Sequence, residues 1–310
     1  MKQDKIKVFV SAVVYVYNGA EYLLDCLKKL DSTLSYAFEC AEIICVNDDS
    51  SDDSVDIIRN FAVTSESTIS ILNMSFHQGV ESAMNAGVDL SIGDFVFEIE
   101  STQMIYPAET LISLYKKSIE GYDIVSLVPK KNRTFFSSVY YHFYNRFSHS
   151  QYGLHTELCR IVSRRTLNRI GSMSQTIPYR KAAYSNCGLK KTALQFEEDI
   201  PITKMSRRQK REYHNLAIDS IILYTDLAFN ISIAFSIIMS LLMVTVATYA
   251  LTIKLMGVPI AGWTSTILFL SVAFFGIFVI LTMIVKYLSI ILKLNFSKLP
   301  YITGTIEKLK

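Results

Sequence analysis

Two long stretches without a charged side chain constrain the fold of this sequence more than any other feature. Residues 227–253 contain no charge, residues 255–285 contain none either, and Lys254 lies between them. A helix of about 20 apolar residues crosses roughly 30 Å of hydrocarbon. The sequence therefore predicts two transmembrane helices, at about 227–253 and 263–285. A long helical hairpin buried in a protein core is the alternative.

Basic residues flank both uncharged stretches. We predict an amphipathic juxtamembrane segment at 204–226 and a C-terminal tail at 286–310. Their basic residues are Lys204, Arg207, Arg208, Lys210 and Arg211, then Lys286, Lys293, Lys298, Lys308 and Lys310. Because cytoplasmic flanks carry an excess of Lys and Arg, both chain ends are predicted to be cytoplasmic. The apolar run near the N-terminus is short and is interpreted as a strand, not as a signal peptide.

Charge and cysteine content narrow the classes of partner. The formal net charge of the 310 residues is +3, and much of the basic surplus lies beside the uncharged stretches. This placement favours a membrane surface or a lipid phosphate over nucleic acid. The cysteines lack the paired spacing of a metal site and are predicted to be reduced packing residues: Cys26, Cys40, Cys45, Cys159 and Cys187.

Residues 6–128 alternate between strand-like and helix-like segments. Apolar runs such as "KVFVSAVVYVY", "AEIICVN" and "DFVFEI" are separated by helix-like runs such as "AEYLLDCLKKL" and "GVESAMNAGVDL". This alternation predicts an α/β domain with a mostly parallel sheet, which we assign to residues 1–203. Ligands of such sheets bind beyond the carboxyl ends of the strands.

Polar residues follow several of these predicted strands. Asn18 and Gly19 follow the first strand, and "VNDDSSDDS" follows the second. Capping of the next helix is the favoured role for Asp52 and Asp53, since Asp side chains accept hydrogen bonds from the free N–H groups of a helix start. Asp48 stands at the strand tip itself, where a ligand role and a structural role are both open.

The stretch "GDFVFEIEST" carries two glutamates one residue apart at a strand end, Glu98 and Glu100. Alternation places both on the same side of the strand, where they repel unless a cation or protons intervene. Oxygen ligands suit Mg²⁺ or Mn²⁺, so this pair is the predicted metal site. A solvated strand end that binds no ion is the alternative.

Four blocks carry a resemblance to a known family. "VYVYNGAEYLLDCLKKL", "VNDDSSDDS", "HQGVESAMNAGVDLSIGDFVFEIES" and "AIDSIILYT" resemble, in order, those of family 2 glycosyltransferases. The subgroup is the one that includes dolichol-phosphate mannosyltransferase and transfers a sugar to polyprenyl phosphate. The resemblance implies a GT-A-like (Rossmann-like) domain followed by two transmembrane α-helices. It also implies a divalent cation, Mg²⁺ or Mn²⁺, as cofactor.

The resemblance also implies roles for single residues. The implied nucleotide-binding residues are Tyr17, Asn18, Asp48, Gly79 and Glu98. Glu98 and Glu100 stand where the family holds its metal, and Glu100, Glu157 and Arg160 are the implied catalytic residues. His77 is interpreted as a turn residue, although many relatives have Asn there.

An acceptor phosphate is already anionic, so attack on the anomeric carbon needs no strong general base. The predicted cations for this phosphate are Lys130, Arg133, Arg160 and Arg164, with a solvated basic face as the alternative. An aromatic stripe at about 134–148 is predicted to form an amphipathic helix at the membrane interface. Packing in the core is the alternative for that stripe.

Together with the two uncharged stretches, the resemblance implies an inverting transferase in the cell membrane. Its substrates would be a UDP- or GDP-linked sugar and polyprenyl phosphate, and the product would serve envelope glycan assembly. The resemblance also suggests a homo-oligomer formed through the membrane helices. Transfer to another membrane acceptor, such as a glycolipid or a polysaccharide, is one alternative. A non-catalytic membrane scaffold is the other.

Overall fold

A computed structural model describes residues 5–130, 135–148, 152–173, 179–196, 207–225, 227–255, 262–296 and 301–310. Its strands are β1 (Ile6–Val16), β2 (Phe38–Asn47), β3 (Thr68–Met74), β4 (Phe95–Ile99), β5 (Ile124–Pro129), β6 (Cys159–Ser163), β7 (Lys191–Phe196) and β8 (Thr303–Lys308). Its helices are α1 (Ala20–Ala37), α2 (Ser54–Ala62), α3 (Val80–Leu90), α4 (Thr110–Ile119), α5 (Phe135–Phe147), α6 (Arg164–Met173), α7 (Arg180–Asn186), α8 (Arg207–Tyr224), α9 (Leu227–Leu255) and α10 (Trp263–Phe296). The predicted alternation of strands and helices is confirmed.

The described strands form one sheet in the order β7-β5-β6-β4-β1-β2-β3-β8. Strand β1 pairs in parallel with β2 and β4, β2 with β3, and β5 with β7. Strand β6 runs antiparallel between β4 and β5, and β8 runs antiparallel to β3. The prediction of a mostly parallel sheet is therefore confirmed, with two antiparallel strands added.

Strand β1 is buried on both faces because helices cover both sides of the sheet there. Val10, Val14 and Val16 belong to the cluster that packs α1, α2 and α4 against one face, whereas Val13 belongs to the cluster under α3 on the other. Gly87 lets α3 approach closely, since an added Cβ would lie 2.4 Å from a methyl carbon of Val13. The apolar runs of the sequence thus become central strands.

The described residues fall into two compact units. One comprises residues up to 146, 150–216 and 298–310, and the other comprises 147–149 and 217–297. In the second unit α9 and α10 pack closely at Gly276, where an added Cβ would lie 2.4 Å from the Phe235 ring. An ion pair of 2.6 Å joins Lys286 to Asp219.

The two uncharged stretches are helical, as α9 and α10. Within the part of the chain that is described, no helix combines the length and the apolar character needed to cross a membrane.

The predicted C-terminal tail is wrong as a separate segment. Helix α10 continues to Phe296, and β8 adds a strand to the sheet. Two contacts fix β8 and the residue before it. Arg59 binds Glu307 at 3.0 Å, while the Gln78 side chain donates to the Ile302 carbonyl at 2.6 Å and accepts from its N–H at 2.9 Å. The edge of β3 is therefore covered by the end of the chain.

Candidate active site

The carboxyl ends of β1, β2 and β4 meet at one edge of the sheet. Val16 is the register partner of Asn47, and Val14 is the partner of Ile99. The polar residues that follow these three strands are therefore brought together, as the sequence predicted. This edge is the candidate active site.

Asp48 follows β2, is fully buried and is saturated with donors. Its carboxylate accepts hydrogen bonds from the Gln78 N–H at 2.8 Å, the Gly79 N–H at 2.9 Å and the Tyr15 hydroxyl at 3.0 Å. The His77 ring nitrogen lies 3.0 Å from it. Asp48 thus fixes the turn into α3, where Gly79 adopts a φ of 87° that favours glycine. Its nucleotide role stays a prediction.

The turn after β1 is held by the loop after β2. Asn18, with a φ of 47°, accepts the Ser51 N–H at 2.8 Å. Asp52 accepts the Ala20 N–H at the start of α1 at 2.9 Å, and the Ser54 N–H at the start of α2 at 3.2 Å. Burial alone would raise the pKa of Asp52, but hydrogen bonds from Ser54 and Ala20 outweigh it and lower the pKa. Capping by Asp52 is confirmed and extends to two helices.

Capping by Asp53 is wrong, because its side chain makes no capping hydrogen bond to the described start of α2. Tyr17 packs against His77 beside this loop, with 4.1 Å between the ring centroids and 37° between the ring planes. The predicted nucleotide residues Tyr17, Asn18 and Gly79 therefore lie at the same edge of the sheet.

Glu98 is the inner member of the acidic pair and is fully buried. Arg180 Nε donates to it at 3.2 Å, the Tyr184 hydroxyl also donates to it, and Arg160 Nε lies 3.4 Å away. Burial raises the pKa of Tyr184, and Glu98 raises it further. Burial alone would lower the pKa of Arg180, but Glu98 and Glu81 outweigh it and raise that pKa. Glu98 is thus surrounded by two buried guanidinium groups and a hydroxyl donor.

Glu100 is the outer member of the pair, with 13% of its side chain exposed. It forms a close ion pair with Arg160, and Arg180 Nη2 donates to it at 3.4 Å. Lys181 Nζ lies 3.7 Å from its second oxygen. Both glutamates therefore share the same two guanidinium groups.

The residues at this edge do not fit a divalent cation in the arrangement observed. Guanidinium groups lie where an ion bridging Glu98 and Glu100 would have to bind, and positive charges repel each other. Among the described residues, no three His, Cys, Asp or Glu side chains form a group that would hold a metal. The two glutamates as metal ligands stay a prediction that this geometry disfavours.

Glu157 and Arg160 join the same cluster because β6 lies beside β4. Arg160 is the register partner of Glu98, and its Nε lies 3.2 Å from Glu157. Lys191 binds Glu157 at 2.9 Å. Burial alone would raise the pKa of Glu157, but Lys191 and Lys181 outweigh it and lower the pKa. The structure therefore brings together the three residues that the resemblance made catalytic, Glu100, Glu157 and Arg160.

The predicted cations for the acceptor phosphate are not all at this edge. Lys130 follows the carboxyl end of β5 and is exposed, as such a role requires. Arg164 follows β6 at the opposite edge, where its side chain donates to the Gly93 carbonyl at 2.7 Å, so its phosphate role stays a prediction that this position disfavours. Because β6 runs antiparallel to β4, the residue after β6 lies at the edge opposite the carboxyl ends of the parallel strands. The sequence did not predict the direction of β6. Arg133 lies outside the described residues.

Sequence reasoning missed the partners of Glu98, Glu100 and Glu157 that come from outside the blocks of the family resemblance. Arg180, Lys181 and Tyr184 come from the start and middle of the short helix α7, and Lys191 opens β7. Their only sequence signal is the basic pair in "RKAAYSN". It follows neither a strand end nor a recognised block, so spacing alone did not single it out.

The order of the sheet and the polar residues at the carboxyl ends of its strands define an α/β domain of the GT-A-like class. The model of glycosyl transferase family 2 matches residues 11–172, and the chain belongs to this family. An uncharacterized glycosyltransferase of Synechocystis, sll0501, is 26% identical over 86% of this chain and 85% of its own. The uncharacterized glycosyltransferase YkcC of Bacillus subtilis is 25% identical over 86% and 84%.

Two further similarities are narrower. The undecaprenyl-phosphate 4-deoxy-4-formamido-L-arabinose transferase of Pseudomonas syringae is 32% identical over 43% of this chain and 39% of its own. Among solved structures, the mannosyltransferase PcManGT of Pyrobaculum calidifontis, in complex with GDP-Man and Mn²⁺, superposes with a TM-score of 0.50 at 17% identity. The superposition covers 70% of this chain and 63% of that one, and it shows the GT-A-like fold alone.

Proposed function

We propose that this glycosyltransferase moves a sugar from a nucleotide-sugar to polyprenyl phosphate, with inversion at the anomeric carbon. The observation that carries the proposal is the attachment of two long uncharged stretches to a family 2 domain. Such stretches suit an enzyme whose acceptor stays in the membrane. The undecaprenyl-phosphate transferase among the relatives supports the same acceptor class.

The donor would lie at the carboxyl ends of β1 and β2. The rings of Tyr17 and His77 pack against each other there, and a base can stack on such a ring. Asn18 lies in the loop after β1, and Gly79 lies in the loop before α3. Asp48 fixes the loop before α3 by accepting a hydrogen bond from the Gly79 N–H. The base would be uracil or guanine.

The acceptor phosphate would lie near the carboxyl end of β5. Lys130 and Arg133 would bind it, because a phosphate monoester attracts cations at a membrane surface. The phosphate oxygen needs no strong base to attack the anomeric carbon, so positioning supplies much of the rate. Glu100, Glu157 and Arg160 would hold the wall of this site in place through their ion pairs.

We propose a divalent cation as cofactor without assigning the residues that bind it. The mannosyltransferase of similar fold contains Mn²⁺, which supports an ion that accompanies the donor diphosphate, Mg²⁺ or Mn²⁺. Such an ion would neutralise charge on the diphosphate. No step proposed here depends on residues that hold it.

The location proposed is the cell membrane, with α9 and α10 as transmembrane helices and both chain ends in the cytoplasm. The basic residues on both flanks support this orientation. Helix α5 would lie at the interface, and the membrane helices would bring copies of the chain together. The lipid-linked sugar would serve envelope glycan assembly.

Turnover by the full-length protein in detergent tests the proposal. The protein is incubated with polyprenyl phosphate and a panel of labelled UDP- and GDP-sugars, and lipid-linked sugar is measured. We expect product with one donor and a loss of about 10²-fold in Arg160→Met, since a misplaced site wall loses positioning. Arg165→Met is the matched control, because Arg165 is 70% exposed and pairs only with Asp123 among the ion pairs described.

Other outcomes would replace the proposal. Donor hydrolysis or binding without transfer to polyprenyl phosphate would favour a glycolipid or a polysaccharide as acceptor. Folded protein that binds no nucleotide-sugar would favour a membrane scaffold without activity.

A further inference from the structure

We propose that Arg160 and Arg180 are the resident cations of the Glu98–Glu100 pair, so that this pair is a positioning element and not the metal clamp of the enzyme. The inference rests on the proposed function only in taking a nucleotide-sugar as donor. It departs from the role that the position of these glutamates suggests.

Each guanidinium group bridges both carboxylates. Arg180 lies 3.2 Å from Glu98 through Nε and 3.4 Å from Glu100 through Nη2. Arg160 lies 3.4 Å from Glu98 through Nε and forms the close pair with Glu100 through Nη2. Both arginine side chains are 1% exposed. A divalent ion between the glutamates would therefore have to displace two buried groups.

Both arginines are also held by contacts that do not involve Glu98 or Glu100. The backbone N–H of Arg180 donates to the Glu81 carboxylate at 3.0 Å, and its Nη1 donates to the Glu81 carbonyl at 3.0 Å. Arg160 sits in β6 directly opposite Glu98, where the sheet fixes its backbone. Neither guanidinium group can leave without breaking contacts to α3 or to Glu157.

Charge in the cluster is already balanced. Its acids are Glu81, Glu98, Glu100 and Glu157, and its bases are Arg160, Arg180, Lys181 and Lys191. The second oxygen of Glu98 accepts the Tyr184 hydroxyl. A divalent ion binds well where carboxylates lack partners, and this pair has partners on both members. An ion used in transfer would accordingly arrive with the donor diphosphate.

Mn²⁺ titration of the full-length protein in detergent, read by electron paramagnetic resonance, tests the inference without any turnover. For the wild type we expect no saturable Mn²⁺ binding in the absence of nucleotide. Arg180→Met removes one resident cation, so we expect saturable Mn²⁺ binding to appear, at least about tenfold tighter than the detection limit reached with the wild type, a difference of about 1.4 kcal/mol. Arg165→Met, the exposed control, should bind Mn²⁺ like the wild type.

A second variant covers the case in which Arg180→Met does not fold. Glu98→Gln keeps the shape of the side chain, and its folding is checked by thermal unfolding. We expect the Mn²⁺ dependence of UDP or GDP binding to stay within about threefold of the wild type, because Glu98 does not touch the ion. The wild-type titration is informative even if neither variant folds.

Saturable Mn²⁺ binding by the nucleotide-free wild type that Glu98→Gln or Glu100→Gln abolishes would overturn the inference. Failure of transfer to polyprenyl phosphate would leave it standing, since Mn²⁺ binding is read without substrate. The two failures are therefore distinguishable.

Discussion

The loop around Asp48 and the Glu98–Glu100 pair both place buried carboxylates at strand ends, but they stabilise them differently. Asp48 is held mainly by neutral donors, among them two backbone N–H groups of the turn into α3. The glutamates are held by arginines that come from β6 and α7. Acidic residues at the ligand-binding edge of a sheet can therefore serve to join loops and strands instead of binding a ligand.

The largest loss of stability is expected from removing one of the arginines that bind the Glu98–Glu100 pair. Arg180→Met leaves Glu98 buried with one cation fewer, and removing one partner of a buried pair destabilises by about 3–5 kcal/mol. Arg165→Met removes an exposed pair with Asp123 and should change stability by about 0.2–1 kcal/mol. The thermal unfolding midpoint of the full chain measures both. Equal shifts would show that the buried cluster is no more than a surface network.

A somewhat smaller effect is expected at Asp48. Asp48→Asn keeps the shape but loses the charge and turns an NH₂ group toward backbone donors, so we expect a loss of about 1.5–3 kcal/mol. Asp49→Asn is the control, because Asp49 is exposed with a φ of 61°, which Asn tolerates. Unfolding midpoint and nucleotide affinity are measured together. Lost affinity at unchanged stability would make Asp48 a ligand instead of a loop anchor.

The backbone of the Asp48 turn should tolerate change less than an ordinary helix glycine. Gly79→Ala places a side chain at a φ of 87° and a ψ of 164°, a region almost confined to glycine, at a cost of about 1–3 kcal/mol. Gly171→Ala, in α6 with no atom within 4 Å of the added Cβ, should be neutral or stabilising by up to about 1 kcal/mol. The thermal unfolding midpoints of the two variants measure this difference in stability. A harmless Gly79→Ala would mean that the turn adapts.

The smallest effect is expected with pH. The pKa of Glu157 is lowered in the fold, so its stabilising effect is complete above the unfolded value near 4.5 and is lost as pH falls through the lower, folded value. The difference in unfolding midpoint between wild type and Glu157→Gln should therefore shrink as pH falls below about 4.5. A difference that grows toward acid pH would contradict the depressed pKa.

Local pattern predicted the sheet but not the partners of its acids. Periodicity placed the strands and α3, and order along the chain placed Asp48 and Glu98 at one edge. Arg180 lies 80 positions beyond Glu100 in the chain, and such a contact depends on tertiary packing that no spacing encodes. Strand β8 escaped prediction for a related reason: "TGTIEK" is short, and only pairing with β3 makes it a strand.

Because β8 completes the sheet after α10, the stretch from 217 to 297 is a domain insertion in the chain and not an appendage at its end. Truncation before residue 217 would therefore expose the unpaired N–H and C=O groups of β3 and invite aggregation. A chain without this unit is better made by excision, with residue 216 joined to residue 301 through a flexible linker. Such a chain would keep all eight described strands.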